Sequence, residues 1–437
     1  MTSSDAIEAL RLKLVQLPGG PEAMAQRESA LAVFERTGYP TRRLEDWRYT
    51  DISRIADGDF DFAAAPSAAP LPKNALGALL RTAGLDTNAA RIVIVDGYTV
   101  DRQLAGLADA GAEVLSLAKS LERFGAAAIP DELAQSPLAA LNMAFASSGA
   151  HLRVSAAAAL PETLHVVFAG VATSRHALQP QLVIDLERNA RADVCVHFIG
   201  GDECASWMNL ATRIRLGEGS QLSLSRIQRH SATQFHTELL EAIVARDATF
   251  RLTTVDLGGA LVRNDIVVRL EEPGASCNLG GIAFAEGGQH VDNHVTVDHR
   301  ASQSVSDQSF RSIVGSRGRA IFNGKVVVRK GTKGVSAEQA SDNLLLARDG
   351  EIDTKPELEI HADDVRCAHG ATVGELDESQ LFYLRARGLP QTVARGLLTL
   401  AFAAQILDRL DGSALGRQVA DKFGLDLPDV GGGSILE

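Results

Sequence analysis

The sequence predicts a mainly β protein: a right-handed parallel β-helix core with helical domains at both ends. Three observations carry this. From about residue 151, strand-sized runs (LHVVFAG, QLVIDLE, VCVHFIG, TRIRLGE, LSLSRI, EAIVAR and IVVRLEE) follow one another, separated by Gly, Asn and Asp turns. A turn, a small residue and a fresh alternating run recur near Asp193, Gln221, Phe250, Ser276, Ala320 and Ile352. The steps between them are 28, 29, 26, 44 and 32 residues, a loose period that suits a solenoid with loops of varying length. Aromatic residues make up only 5% of the chain against 45% apolar content, so narrow aliphatic layers fit better than a core of large rings. A β-sandwich is the rival architecture, since short strands with turn signals also describe it. Few long helical stretches interrupt this region, which argues against a doubly wound α/β fold.

Along the chain, the pattern divides into residues 1–150, 151–373 and 374–437. Residues 4–17 and 21–37 read as amphipathic helices, with Pro18-Gly19-Gly20-Pro21 breaking the chain between them. The segment Tyr39–Asp51 (YPTRRLEDWRYTD) reads as a loop anchored by its rings. Residues 56–75 form an Ala/Pro/Asp-rich linker, Arg91–Val95 a short buried strand, and Ser136–Phe145 a helix. After Gly374, the run Asp377–Arg387 starts with an acidic cap and stops at Gly388. A long apolar helix follows over Thr392–Leu410, then a short one over Leu415–Phe423 and a Gly431–Gly433 tail. So apolar a helix must be buried, against its own domain or a partner.

Composition excludes several classes of function. The net charge of -12, without a Lys/Arg block, argues against a nucleic-acid partner. Four scattered cysteines with no CxxC pair fit a reducing cytoplasm rather than a disulfide framework. The apolar run Leu397–Leu407 is too short to span a bilayer, so no membrane association is expected. No Walker loop, dinucleotide loop, GxSxG elbow or HExxH helix is visible, and the chain is expected not to be an enzyme.

Two constellations could carry chemistry. On a strand, His290, Asp292 and His294 would share one face and could ligate a metal, or equally form a hydrogen-bonded polar face. Cys367 and His369, a thiol and an imidazole separated by one alanine, follow the strand Leu358-Glu359-Ile360 and the acidic turn Asp363-Asp364. Either residue type is more often a buried or satisfied structural group than a ligand.

The stretch Gly331–Gly374 changes that balance. Its pieces SAEQASDNLLL, EIDTKPELEIHADDV and CAHGATVG resemble the most distinctive segment of the SufB/SufD family, the scaffold subunits of SUF iron–sulfur cluster assembly. The Tyr39–Asp51 segment is similar to the family's N-terminal signature, and LAALNMAF with HLRVSAAAALPETLHVVF to the start of its central domain. The resemblance therefore runs over essentially the whole chain. It lies on the SufD side. SufB-type signatures usually read like HEATT and carry an upstream cysteine, whereas here His369-Gly370-Ala371-Thr372-Val373 has no cysteine shortly before Lys355.

The resemblance implies a non-catalytic scaffold that pairs with SufB through the β-helix and binds the ATPase SufC through its C-terminal helices. Phe382, Tyr383 and Arg385 are the implied contact residues. It implies a nascent cluster at the SufB interface, with the histidine matching His369 involved in building it and Cys367 beside it. No cofactor would be tightly bound to the isolated chain, the cluster being transient, and a homodimer would be open to it. The alternatives are a β-helix carbohydrate-active enzyme (lyase or hydrolase), a SufB-like paralogue, and a stand-alone metal protein using His290 and His294.

Overall fold

The computed structural model describes residues 10–62, 73–86, 88–124, 136–172, 175–201 and 204–408. The expected Leu415–Phe423 helix, the glycine tail and much of the linker lie outside these residues.

The centre is a flattened parallel β-solenoid of two facing sheets. One sheet stacks Leu164–Gly170, Arg191–Gly200, Gln221–Arg229, Thr249–Asp256, Ser276–Ala285, Val305–Val314, Val335–Leu345 and Val365–Gly374. The other stacks Ser148–Val154, Pro180–Leu186, Trp207–Leu216, Phe235–Val244, Leu261–Leu270, His290–His299, Arg319–Val328 and Glu351–Ile360. Consecutive strands alternate between the sheets, and strands adjacent in a sheet are parallel, which excludes the sandwich. The irregular 44-residue step now has a cause. Ser276 pairs with Val305 one rung on in the first sheet, whereas Ala320 belongs to the second. That step crosses one whole rung and part of the next.

Period-two alternation turns each strand into one row of inward side chains, and the parallel register stacks the rows into columns. Ala192, Leu222, Phe250 and Cys277 form one such column, and Val194, Leu224, Leu252 and Leu279 the next. All belong to the main buried cluster. The turns stack as well. Asn189, Gly219, Asp247 and Gly274 occupy one solenoid corner on successive rungs, each with positive φ (58°, 66°, 54° and 77°). A Cβ on Gly274 would lie 1.9 Å from Asp247 Oδ1, so the corner alternates a side chain that tolerates the left-handed region with a residue that has none.

The N-terminal region extends both sheets. Arg91–Val95 joins the first sheet in parallel and carries Tyr98–Gln103 antiparallel on its far side, while Ala112–Ser116 adds antiparallel to Ser148–Val154. These antiparallel strands close one end of the stack. The helix Pro21–Thr37 packs on Pro137–Phe145, and the buried Arg27 ties them by donating to the carbonyls of Ala144 and Ala146 at 2.9 and 2.7 Å.

The Tyr39–Asp51 segment is anchored by more than its rings. Trp47 lies under the Arg263 guanidinium at 4.5 Å, and Arg263 also donates to the Asp46 carbonyl at 2.9 Å. Arg263 pairs with buried Asp292 at 2.5 Å, and Thr50 donates to the same carboxylate. Burial alone would raise the Asp292 carboxyl, but the Arg263 charge together with His294 and the Thr50 hydrogen bond outweighs it and holds the group well below the usual carboxylate range. His290 bonds Thr50 at 2.8 Å and His294 meets Asp292 at 3.1 Å. The His290–His294 face is thus a polar clamp for the N-terminal segment.

The apolar helix Gln391–Leu407 lies on the outer face of the first sheet. Leu400, Ala403, Ile406 and Leu407 pack there among Ile282, Phe284, Ile313 and Leu344. Arg311 stacks 4.6 Å over Phe402 and donates to its carbonyl. The helix before it, Glu378–Ala386, is capped by Asp377, whose carboxylate accepts from the Ser379 and Gln380 amides.

Removing Arg263 strands the Asp292 charge in the clamp. Arg263→Ala is expected to cost about 3–5 kcal/mol, whereas a packed Arg263→Met/Asp292→Leu pair should cost much less. Urea unfolding of the two variants measures both; equal losses would show that the stranded Asp292 charge is not what the single variant suffers from.

Candidate functional site

The far end of the solenoid differs from its start. Among the described residues, Val365–Gly374 pairs only with Val335–Leu345, and Glu351–Ile360 only with Arg319–Val328. Both last strands are ten residues long and present one unpaired backbone edge each. The Val365–Gly374 strand is mostly exposed.

Cys367 and His369 lie on this last strand. Cys367 stacks on Ala337 and packs with Val326, Val328 and Val335, so its side faces the interior. His369 shares that face by alternation and stacks on Gln339. Cys367 is partly buried and His369 exposed. Burial raises the Cys367 thiol above its ordinary value, so the fold by itself favours the protonated thiol.

The columns beneath these residues change character toward the open end. The column that starts Val194, Leu224, Leu252, Leu279 continues as Gln308, Gln339 and His369. The neighbouring one runs Cys277, Ser306, Ala337, Cys367. Gln308 and Gln339 are buried, and neither side-chain amide has a hydrogen-bond partner among the described residues. Such a group costs about 1–3 kcal/mol, which marks the interior below the lip as built for polarity rather than packing. Gly324 on the facing strand makes room for it, since a Cβ there would lie 1.7 Å from Gln339 Nε2.

Deeper inside, Arg226 pairs with buried Glu238 and donates to Asn264 at 3.2 Å, and Asn264 donates to Asn293 at 2.7 Å and Asp256 at 3.2 Å. Burial pushes the Glu238 carboxyl up, but Arg226 together with bonds from His236 and Thr212 brings it below its ordinary value; at Asp256 burial prevails over the pull of Arg226 and the carboxyl is raised. Sequence reasoning missed this polar line. Its signal was present as polar residues at inward positions (Arg226, Glu238, Asn264, Asn293), readable only once the rung register is known.

Phe382, Tyr383 and Arg385 sit on the exposed helix Glu378–Ala386. Phe382 is 72% exposed. Tyr383 is held by Arg387, which donates to its hydroxyl at 2.8 Å. These three lie on the helix that follows the Val365–Gly374 strand, not on the strand that carries Cys367 and His369.

Fold and lip together define a β-solenoid protein that presents a thiol and an imidazole at an open end. The chain belongs to the SufBD family: the family model for the SUF system FeS cluster assembly SufBD core domain matches residues 168–402, and that for the SufBD protein N-terminal region matches 15–166. It is 29% identical over 412 residues to the iron–sulfur cluster assembly protein SufD of Escherichia coli, covering 94% of each chain. A SufBD family iron–sulfur cluster assembly protein of Synechocystis sp. is 28% identical over 95% of this chain and 97% of its own. Protein ABCI7, chloroplastic, of Arabidopsis thaliana is 26% identical over 88% of this chain and 82% of its own. Family membership in iron–sulfur cluster assembly sets aside the carbohydrate-active alternative. No helix among the described residues is long and apolar enough to cross a membrane.

Burial also sets an acid limit on the polar end. His299 is buried, bonded to Ser304 and Ser306 at 2.8 and 2.9 Å, and burial lowers its pKa to about 4. The unfolded chain takes up that proton near 6.5, so between about pH 6.5 and 4 it binds more protons and stability falls with falling pH. The loss reaches on the order of 3 kcal/mol at the bottom of the window. Denaturation across this range should show a shallower slope for His299→Gln; an unchanged slope would assign the effect elsewhere.

Proposed function

We propose that this chain is a SufD-type scaffold subunit of a SUF complex, non-catalytic and without a resident cofactor, working in the cytoplasm. In this reading residues 151–373 form the scaffold core between an N-terminal domain (1–150) and a C-terminal helical domain (374–437). The observation that carries the proposal is the open last rung: two free ten-residue strand edges with Cys367 and His369 beside them. A SufB-type solenoid with a matching open end can continue both sheets across the junction, because strand addition satisfies the exposed backbone groups of both partners. Without SufB, a second copy of this chain offers the same edges, which leaves a homodimer open to the isolated chain.

In the heteromer the cluster is cargo. The His369 imidazole and Cys367 thiolate supply two ligands from this side, the partner supplies the others, and the cluster leaves once built. The SufC ATPase docks on the C-terminal helices. Phe382, exposed and apolar, is the anchor expected there, with Tyr383 and Arg385 around it.

His369→Ala should lower cluster yield in the reconstituted complex while co-purification with the SufB-type partner stays intact. Full cluster yield would remove His369 from the site. Phe382→Asp should leave the fold unchanged, because the side chain is exposed, and weaken retention of the ATPase about tenfold or more. Retention at the wild-type level would move the docking surface elsewhere.

A further inference from the structure

On the outer face of the first sheet, near its start, three potential ligands converge. His165 lies on Leu164–Gly170, and Cys195 and His197 on the adjacent Arg191–Gly200, where Cys195 is the register partner of His165. Val194, Val196 and Phe198 point into the core, so Cys195 and His197 point outward by alternation. The ligand atoms of all three residues lie within 4.8 Å of one another. Nδ1 of His165 and Nε2 of His197 are 3.1 Å apart. Two nitrogens each about 2.0–2.1 Å from a tetrahedral zinc ion would be roughly 3.3 Å apart. The rings already stand at that separation.

We propose that His165, Cys195 and His197 form a binding site for a borderline-soft transition-metal ion of the Zn(II) type. One thiolate and two neutral imidazoles are the donor set of such ions, and three protein ligands leave a fourth position open. Cys195 and His197 are 8% and 2% exposed, and the half-buried His165 gives access from solvent. Burial keeps both rings neutral, as a ligand requires. It also raises the thiol to about 12, so the ion itself must displace that proton.

The proton balance singles out Arg229. Its Nη1 lies 3.5 Å from His197 Nδ1, which places the ring proton on Nε2, shared with His165. Binding of a divalent ion releases one proton, from the Cys195 thiol, and moves the His197 proton from Nε2 to Nδ1, facing the guanidinium. Arg229 repels the bound ion and disfavours that ring proton, while the same charge favours the Cys195 thiolate. Five strands separate this site from Cys367 and His369 in the sheet, roughly 29 Å at the usual strand spacing. It is thus independent of the proposed cluster site.

The test is titration of the full-length chain with Zn(II), and with Co(II) as a spectroscopic probe, in a Cys367→Ser/His369→Ala background. One equivalent of Co(II) with a thiolate charge-transfer band is expected, and Cys195→Ser should abolish that band. His165→Gln, at a half-exposed position that leaves the fold intact by thermal unfolding, should weaken binding by more than the about 10–100-fold lost with an outer-sphere partner. Absence of the band, its survival in Cys195→Ser, or undiminished binding in His165→Gln would each overturn the proposal and leave a hydrogen-bonded histidine pair.

Discussion

In-register stacking of parallel strands is the constraint on which the rest of this structure depends. Every inward residue is covered by the residue one rung on, so each position belongs to a column and must suit the members above and below it. A stack of this kind has two ends, and each end exposes a row of backbone donors and acceptors together with the last member of every column. At one end the antiparallel strands Tyr98–Gln103 and Ala112–Ser116 cover the stack. At the other, Glu351–Ile360 and Val365–Gly374 are left uncovered among the described residues.

The columns explain why that chemistry is polar. Aliphatic members dominate the early rungs, where burial of apolar area stabilises the stack. From Gln308 onward the column leading to His369 is polar, and two buried amides there lack hydrogen-bond partners. The stack gives up packing energy over its last rungs, and the early rungs, together with the helix Gln391–Leu407 laid across the outer face, offset it. The Tyr39–Asp51 segment contributes in the same direction: it is clamped to the second sheet through Asp292 and reaches the last rung, where Glu45 meets Lys355 at 3.3 Å.

Much of this was legible in the sequence. Turn residues, strand-sized runs and low aromatic content pointed to a solenoid, and the acidic cap at Asp377 located its helix. The rung spacing was only partly readable, because strands of two sheets alternate along the chain and a turn count cannot tell one face from the other. The His290–Asp292–His294 face could not be decided, since its partners Thr50 and Arg263 are 240 and 29 residues away from their contacts. The same holds for the inward polar line of Arg226, Glu238 and Asn264, which becomes a line only by stacking. Cys367 and His369 were singled out by the resemblance of the stretch around them, because spacing alone favours a structural thiol and imidazole.

Strand placement separates the two thiol–imidazole sets in this chain. Cys367 and His369 sit side by side on an edge strand, and on that strand the chain provides only two ligands; completing a coordination sphere there requires groups from outside. His165, Cys195 and His197 are brought together across two paired strands in the middle of a sheet, where register fixes their separation and neighbouring strands hold the backbone on both sides. A shared, releasable cargo needs the first arrangement, since a ligand set split between partners can be opened by moving them apart. A retained ion needs the second, because its ligands cannot separate without breaking the ladder. The same residue types therefore suit different tasks according to whether the strand carrying them is an edge.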